Sequence, residues 1–150
     1  MKKLLIVEDN DHKRGKVTAY LRDEFPELTI VEAHSFTSGC QAIDKDSFDV
    51  ILMDMSLPTY DKSPSDSGGR FRTFGGREIA RKIMRRSIPT RLIFLTQYDA
   101  FSDKTNSHTL ESLALELEDE CGNNYFGLLH YDSSKSSWRE QLRTKLSAIP

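Results

Sequence analysis

The apolar run that ends at Asp54 constrains the fold of this chain more than any other stretch. Residues 50–53 form a continuous rather than alternating apolar segment, which is typical of a strand buried on both of its faces. Asp54 follows directly, and Pro58 prevents the strand from continuing. Because a charge at the tip of a buried strand is costly unless it is compensated, Asp54 needs an explanation. It is either a cap or turn residue, for which Asp is well suited, or part of a polar site.

Two other apolar runs end in polar side chains in the same way. Residues 4–7 are followed by two acids, and residues 92–95 are followed by a threonine. Segments in which apolar residues recur at helical spacing lie between the apolar runs. The pattern along the whole sequence predicts five strands alternating with five helices. This alternation indicates an α/β fold with a doubly wound parallel sheet and right-handed crossovers. The most apolar strands, 4–7 and 50–53, are expected at its centre.

Capping residues predict where several helices begin and end. Asn10 or Asp11 is expected to begin the first helix. Gly122 is expected to end the fourth helix. Ser133 or Ser134 is expected to cap the last helix.

Residues 59–74 have no hydrophobic periodicity and are rich in Ser, Gly and Pro. Unstructured loops of this length are uncommon in compact domains, and they are usually functional or disordered. We therefore expect one domain over residues 1–150, with an inserted loop at about 59–74 and no output domain.

Composition excludes several classes of protein. The net charge of −2 gives no overall case for nucleic acid binding, and a basic helix at about 77–86 is read as a solvated or protein-docking face. No apolar segment reaches the ~20 residues of a membrane span. Two distant cysteines, Cys40 and Cys121, indicate free thiols in a reducing compartment. A cytoplasmic protein without direct contacts to nucleic acid or membrane is expected.

Parallel strands bring their carboxyl ends to one edge of the sheet, where such folds bind ligands. Glu8, Asp9 and Asp54 are therefore expected to converge, with Thr96 beside them. Carboxylates this close repel unless one is protonated or a cation lies among them. Oxygen ligands favour Mg²⁺. Such a site suits phosphoryl transfer to an aspartate, with Thr96 bonding either a phosphate oxygen or the backbone.

Three segments resemble the receiver domain of bacterial two-component response regulators. They read Leu-Ile-Val-Glu-Asp-Asn at 5–10, Leu-Met-Asp-Met-Ser-Leu-Pro at 52–58 and Phe-Leu-Thr at 94–96. The three motifs occur in the family's order, and the resemblance covers essentially the whole chain. It implies a flavodoxin-like (βα)5 sheet with strand order 2-1-3-4-5.

The resemblance also implies a role for each residue of the site. Asp54 corresponds to the phosphoacceptor and a ligand of Mg²⁺. Asp9 corresponds to the direct carboxylate ligand of the metal, Glu8 assists through water, and Ser56 offers its backbone carbonyl. Thr96 corresponds to the switch hydroxyl that moves toward the aspartyl phosphate.

The chain departs from the family pattern at the end of the fifth strand, where receivers usually carry a lysine. That position falls at about Tyr131 in this sequence. Lys135, Arg70 and Arg72 are candidates for the missing phosphate-proximal cation. Tyr131 or Tyr125 is a candidate for the aromatic partner of the switch threonine.

The function implied by the resemblance is signalling rather than enzymatic turnover. A sensor histidine kinase or phosphotransfer protein would phosphorylate Asp54 in a Mg²⁺-dependent reaction, with self-phosphorylation and self-dephosphorylation as the only catalysis. The signal would leave through contacts with a downstream protein, or through a homodimer formed by the fourth and fifth helices and the fifth strand. A phosphorylation-independent adaptor is the main alternative. A phosphatase with an aspartate nucleophile is weaker, since Ser56 occupies the position of its second acid.

Overall fold

The structure, a computed structural model, describes residues 1–105 and 107–150. In chain order its elements are β1 (Lys3–Val7), α1 (Asp11–Glu24), β2 (Thr29–Ala33), α2 (Phe36–Lys45), β3 (Val50–Met53), β4 (Leu57–Pro58), β5 (Phe71–Arg72), α3 (Gly75–Arg85), β6 (Arg91–Thr96), β7 (Ala100–Ser102), β8 (Ser107–Thr109), α4 (Leu110–Cys121), a short 3-10 helix (Gly122–Asn124), β9 (Tyr125–His130) and α5 (Ser137–Ser147).

A parallel sheet of five strands forms the centre of the molecule, in the order β2-β1-β3-β6-β9. This confirms the predicted order 2-1-3-4-5 for the five main strands. The two most apolar strands, β1 and β3, pair with each other inside the sheet. The strand order reverses between them, which is where open α/β sheets place their ligand crevice.

The helices cover both faces of the sheet because successive strand residues point to opposite sides. On one face Leu5, Ile51 and Phe94 pack with apolar residues of α2, α3 and α4. On the other face Leu4 and Leu52 pack with a second cluster from α1 and α5, which contains Val17, Leu21, Trp138, Leu142 and Leu146. Burial on both faces explains why the central strands are continuous apolar runs.

Helix α1 begins as the sequence predicts. The Asn10 side chain accepts a hydrogen bond from the backbone N–H of Lys13 at 2.9 Å, so Asn10 is the N-cap. Helix α4 ends before Gly122, which has a positive φ of 51°. Both predictions are confirmed.

The predicted start of the last helix is wrong. Helix α5 begins at Ser137, whereas Ser133 or Ser134 was expected to cap it. The Asp132 carboxylate accepts bonds from the backbone N–H of Ser134 at 3.0 Å and from its hydroxyl at 2.7 Å. Ser134 therefore donates within a local Asx-type turn and does not cap the helix.

Much of the segment predicted as a loop at 59–74 forms an ordered hairpin. Strands β4 and β5 pair antiparallel, and the pairing continues from Thr59 N–H to Arg70 O at 3.1 Å and from Tyr60 N–H to Gly68 O at 2.8 Å. We call residues 57–72 the flap. A strand of two residues is too short to show an alternation of apolar and polar side chains, so this hairpin could not be predicted from the sequence.

A second small hairpin lies in the polar stretch after Thr96. Strands β7 and β8 pair antiparallel. The side chain of Phe101 in β7 is buried against the core of the protein. Its ring lies 6.3 Å from the ring of Phe74, which precedes α3. The hairpin thus connects the end of β6 to the region where the flap joins α3.

Several basic residues in and directly after α3 form ion pairs with acids of neighbouring helices. The Arg77 guanidinium donates hydrogen bonds to the Glu120 carboxylate on α4, the shorter at 2.6 Å, and these bonds raise the pKa of Arg77. Lys82 and Arg86 pair with Asp44 on α2. These ion pairs tie the helices together and reduce the free positive charge of this face.

Both cysteines are free thiols. Burial raises the pKa of Cys121 to about 11 and also raises the pKa of Cys40. Among the residues that the structure describes, no helix combines the length and the apolarity needed to cross a membrane.

Candidate functional site

The sheet register brings three carboxylates together at the ends of β1 and β3. Val7 pairs with Met53, and Asp54 N–H donates to Val7 O at 3.1 Å. The residues that follow the two strands must therefore lie side by side. Glu8, Asp9 and Asp54 each place a carboxylate oxygen within 4.8 Å of the others.

Asp54 is almost completely buried, with 3% of its surface exposed. Its Oδ1 accepts the backbone N–H of Met55 at 2.7 Å, which fixes the orientation of the carboxylate. Its Oδ2 lies 3.2 Å from the Nζ of Lys13. The candidate nucleophile is therefore held at both oxygens.

Lys13 is a buried cation of this site that the sequence did not lead us to expect. Its Nζ lies 2.6 Å from Glu8 Oε1, 3.2 Å from Asp54 Oδ2 and 2.5 Å from the backbone carbonyl of Leu95. A signal was present in the sequence. Lys13 precedes two buried residues, Val17 and Leu21, at intervals of four, so it lies on the inner face of α1.

The electrostatics of this group depend on the charge of Lys13. Burial alone would lower the pKa of Lys13, but the charges of Asp54 and Glu8 outweigh it and raise the pKa, so the amine stays protonated. Burial raises the pKa of Glu8 to about 7, against the opposing effect of Lys13. The ammonium is thus the countercharge that allows two carboxylates to be buried side by side.

Asp9 is the more accessible acid of the three, and the flap supplies its partner. The Nζ of Lys62 lies 3.0 Å from Asp9 Oδ2, with 53% of the lysine side chain exposed. The flap is anchored below this contact, since Thr37 N–H donates to Thr59 O and Ser35 Oγ donates to Asp61 Oδ1 at 2.6 Å. The inserted segment therefore does deliver a cation to the acidic site.

That cation is not one of the predicted arginines. Arg72 Nε donates to Thr59 Oγ1 and Arg72 Nη1 donates to Glu78 Oε1, both at 3.1 Å, and the guanidinium lies 4.2 Å from the ring centroid of Phe36. Arg70 is exposed on the flap. Pairing of β5 with β4 holds Arg72 at the base of the hairpin, whereas Lys62 lies on the part of the flap that reaches Asp9.

Lys135, the third predicted cation, is also placed elsewhere. It is exposed in the turn after β9, and its backbone N–H donates to Asp132 O at 3.1 Å. The ring of Tyr131 lies at the site instead, 5.7 Å from Lys13 Nζ. Tyr131 is 4% exposed and packs against Trp138 at 5.2 Å. Burial raises the pKa of this phenol.

Of the two candidate aromatic partners of Thr96, Tyr131 lies at the same edge of the sheet and Tyr125 lies at the opposite edge. Thr96 ends β6, is fully buried, and accepts the backbone N–H of Tyr98 on its Oγ1 at 3.2 Å. Its carbonyl accepts the N–H of Tyr131 at 2.7 Å, which places Tyr131 at the same edge. Tyr125 pairs with Leu92 at the start of β6, and is therefore at the far end of the strand.

Two residues after β3 fix the start of α3 against the site. Ser56 is buried, and its Oγ donates to Thr73 O at 2.8 Å. Gly76 N–H donates to Met55 O at 2.8 Å, and a Cβ at this glycine would lie 2.4 Å from Asp54 O. Only glycine permits this close approach of α3 to the backbone of Asp54.

The donor set fits a hard divalent cation. Glu8, Asp9 and Asp54 offer only carboxylate oxygens, which suit Mg²⁺ better than softer metals. Lys13 already offsets much of the charge of Glu8 and Asp54. A divalent ion would therefore compete mainly with Lys62 at Asp9.

Curated relatives place this geometry in a family. The Detocs response regulatory protein DtcB of Enterobacter cloacae (strain JD6301) is 30% identical over 149 residues, which are 98% of this chain and 99% of the relative. The chain belongs to the response regulators. The uncharacterized protein y4jR of Sinorhizobium fredii (strain NBRC 101917 / NGR234) is 31% identical over 144 residues, 94% of each chain. No family model matches this response regulator.

Solved structures show the same fold. A receiver domain from Clostridium thermocellum has a TM-score of 0.66 at 18% identity, with 99% of this chain and 94% of that chain covered. The chemotaxis response regulator CheY4 of Vibrio cholerae has a TM-score of 0.65 at 20% identity, with 100% and 99% covered. The predicted receiver fold and the predicted family of two-component response regulators are confirmed.

Proposed function

We propose that residues 1–150 act as a single receiver that accepts a phosphoryl group on Asp54. The donor is a sensor histidine kinase or a phosphotransfer protein. One observation carries the proposal: Asp54 ends a central strand with the carboxylate oxygens of Glu8 and Asp9 within 4.8 Å. Mg²⁺ would be held by Asp9, Asp54 and the backbone carbonyl of Ser56, with Glu8 acting through water.

In the transfer, a carboxylate oxygen of Asp54 attacks the phosphorus atom. The new O–P bond forms as the bond from phosphorus to the donor's leaving group breaks, and the leaving group departs with the electron pair. When bound, Mg²⁺ neutralises charge on the transferring group. The Met55 N–H orients the nucleophile through its bond to Oδ1. Asp54 is buried, which limits the access of bulk water to the reacting carboxylate.

We propose that the signal leaves the site through Thr96. The Thr96 Oγ1 accepts a bond from Tyr98 N–H, so its own proton is available to a phosphate oxygen. Tyr98 packs against Phe101 of the second hairpin at 6.2 Å. A shift of Thr96 would thus reach the hairpin and α4, and it would change contacts with a downstream protein or within a homodimer.

The Enterobacter relative is named for the Detocs system. Its identity extends over nearly the full length of both chains, which supports our proposal that this response regulator serves a system of that kind.

The proposal is tested by incubating the purified chain with acetyl phosphate and Mg²⁺ and measuring its intact mass. We expect the mass to increase by one phosphoryl group, and we expect excess EDTA to prevent the increase because the transfer needs a divalent ion. An unchanged mass with acetyl phosphate and also with a histidine kinase would reject the proposal. That outcome would favour the phosphorylation-independent adaptor.

Removing the flap cation should strengthen binding of Mg²⁺. In Lys62→Ala, Asp9 loses a competing positive charge at 3.0 Å. Because exposed ion pairs are weak, we expect the affinity for Mg²⁺ to rise only about 2- to 5-fold. Isothermal titration with Mg²⁺ measures this, with Lys16→Ala as the control because Lys16 is exposed on α1. Equal affinities in wild type and Lys62→Ala would show that Lys62 does not compete with the ion.

A further inference from the structure

We infer that Lys13 supplies, from α1, the cation that binds the phosphoryl group on Asp54, and that Tyr131 holds Lys13 in this position. The inference rests on the proposed function and assigns to it a residue that sequence reasoning did not find. It also gives a role to the tyrosine at the end of β9, where a lysine was expected.

The contacts of Lys13 are those of a residue aimed at the site. Its three oxygen partners are Glu8 Oε1, Asp54 Oδ2 and the Leu95 carbonyl. An ammonium has three donors, so the three contacts account for its full capacity. With 3% of the residue exposed, the charge is shielded from solvent and acts on the site with little screening.

The Lys13 ammonium lies where it would face the negative charge that phosphorylation adds to Asp54. A phosphoryl group on Asp54 brings about −1.5 to −2 of extra charge. It would appear beside an ammonium that already lies 3.2 Å from the accepting carboxylate. Exchanging the Leu95 carbonyl for a phosphate oxygen replaces a neutral acceptor by a charged one, which strengthens the bond.

Tyr131 closes the far side of the lysine. Its ring centroid lies 5.7 Å from Lys13 Nζ, within the range of a cation–π contact. Trp138 of α5 packs against that ring at 5.2 Å. A lysine at position 131 would meet Lys13 in a buried space, where two like charges repel. Positions 13 and 131 are therefore coupled. The site can hold a lysine at position 13 beside an aromatic ring at position 131, or a lysine at position 131 without one at position 13.

The phenol oxygen itself does not explain the choice of residue. Among the described residues, the buried Tyr131 hydroxyl has no hydrogen-bond partner. The ring is thus the part of Tyr131 that contacts the site.

The decisive experiment moves the cation between the two positions. We compare wild type, Lys13→Met, and the double variant Lys13→Met/Tyr131→Lys for the rate of phosphorylation by acetyl phosphate and for Mg²⁺ affinity. Lys13→Met should lower the rate about 10- to 100-fold, the range for losing a charged hydrogen bond. The double variant should recover most of this loss. The exposed Lys16→Ala is the matched control and should behave as wild type.

Mg²⁺ affinity separates a direct role from a merely structural one. Lys13→Met removes a positive charge from the site, so Mg²⁺ should bind as tightly as in wild type or more tightly while phosphorylation falls. A general collapse of the site would weaken both. Where thermal melting shows that Lys13→Met does not fold, the double variant decides, and a folded double variant with no phosphorylation overturns the inference.

Two failures are distinguishable. A wild-type chain that takes up no phosphoryl group overturns the proposed function, and with it the role of Lys13. A wild type that is phosphorylated beside a folded Lys13→Met variant with the same rate overturns only the assignment of Lys13.

Discussion

Replacing Asp54 with Asn is expected to abolish phosphoryl uptake. Asn has nearly the same shape, and its side-chain oxygen can still accept the Met55 N–H that now binds Oδ1. The neutral amide, however, lacks the nucleophilic carboxylate oxygen that forms the new bond. The expected result is no increase in intact mass after incubation with acetyl phosphate and Mg²⁺. Thermal melting of the variant verifies that it is folded.

Asp23→Asn is the matched control, because Asp23 is exposed on α1. Its mass should increase as in wild type. If Asp54→Asn gained a phosphoryl group at the wild-type rate, another residue would be the acceptor. Asp9, the most accessible acid of the cluster, would then be the first to test.

Gly76→Ala is expected to destabilise the protein and to impair phosphorylation together. The new Cβ would lie 2.4 Å from Asp54 O and 3.1 Å from Met55 Cα, and both are backbone atoms. Helix α3 must therefore move away from the site, and this movement would weaken the hydrogen bond from the backbone N–H of residue 76 to Met55 O. Overpacking of this kind costs about 1–3 kcal/mol. Calorimetry should show a melting temperature about 3–10 °C lower.

Gly15→Ala gives the matched comparison within a helix. A Cβ at Gly15, inside α1, would meet nothing within 4 Å. We expect this substitution to stabilise the protein by about 0.5–1 kcal/mol, since alanine favours helix more than glycine. Unchanged stability and phosphorylation in Gly76→Ala would contradict the close packing of α3 on Asp54.

The main fold was predictable because its strands carry strong signals. Residues 50–53 were predicted as a strand and form one with the same bounds, since a continuous apolar run between Asp49 and Asp54 allows few alternatives. The two hairpins were not predictable in this way. Strands of two or three residues contain no period, and their pairing is set by contacts distant in sequence.

The acids of the site could be predicted, but its cations could not. Carboxylates at the ends of parallel strands must converge, so Glu8, Asp9 and Asp54 follow from topology alone. Lys62 reaches Asp9 through the path of the flap, which the sequence does not reveal. Lys13 was readable in principle from its helical spacing to Val17, but a lysine near a helix start is ordinarily read as exposed.

At the end of β9, too, the position of a residue could be predicted but its contacts could not. Tyr131 was identified as the residue at the usual lysine position, and the structure places its ring against the site. The sequence could not show that this ring contacts Lys13 of α1, because the two residues are 118 positions apart in the chain.

The central claim is that Asp54 carries the phosphoryl group, and borohydride reduction tests it most directly. Borohydride converts an acyl phosphate to an alcohol, so it leaves a stable homoserine where an aspartyl phosphate stood. After treatment with acetyl phosphate and Mg²⁺, peptide sequencing by mass spectrometry should find homoserine at position 54 and unchanged aspartates at positions 9 and 49. Homoserine at another position with Asp54 unchanged would contradict the claim.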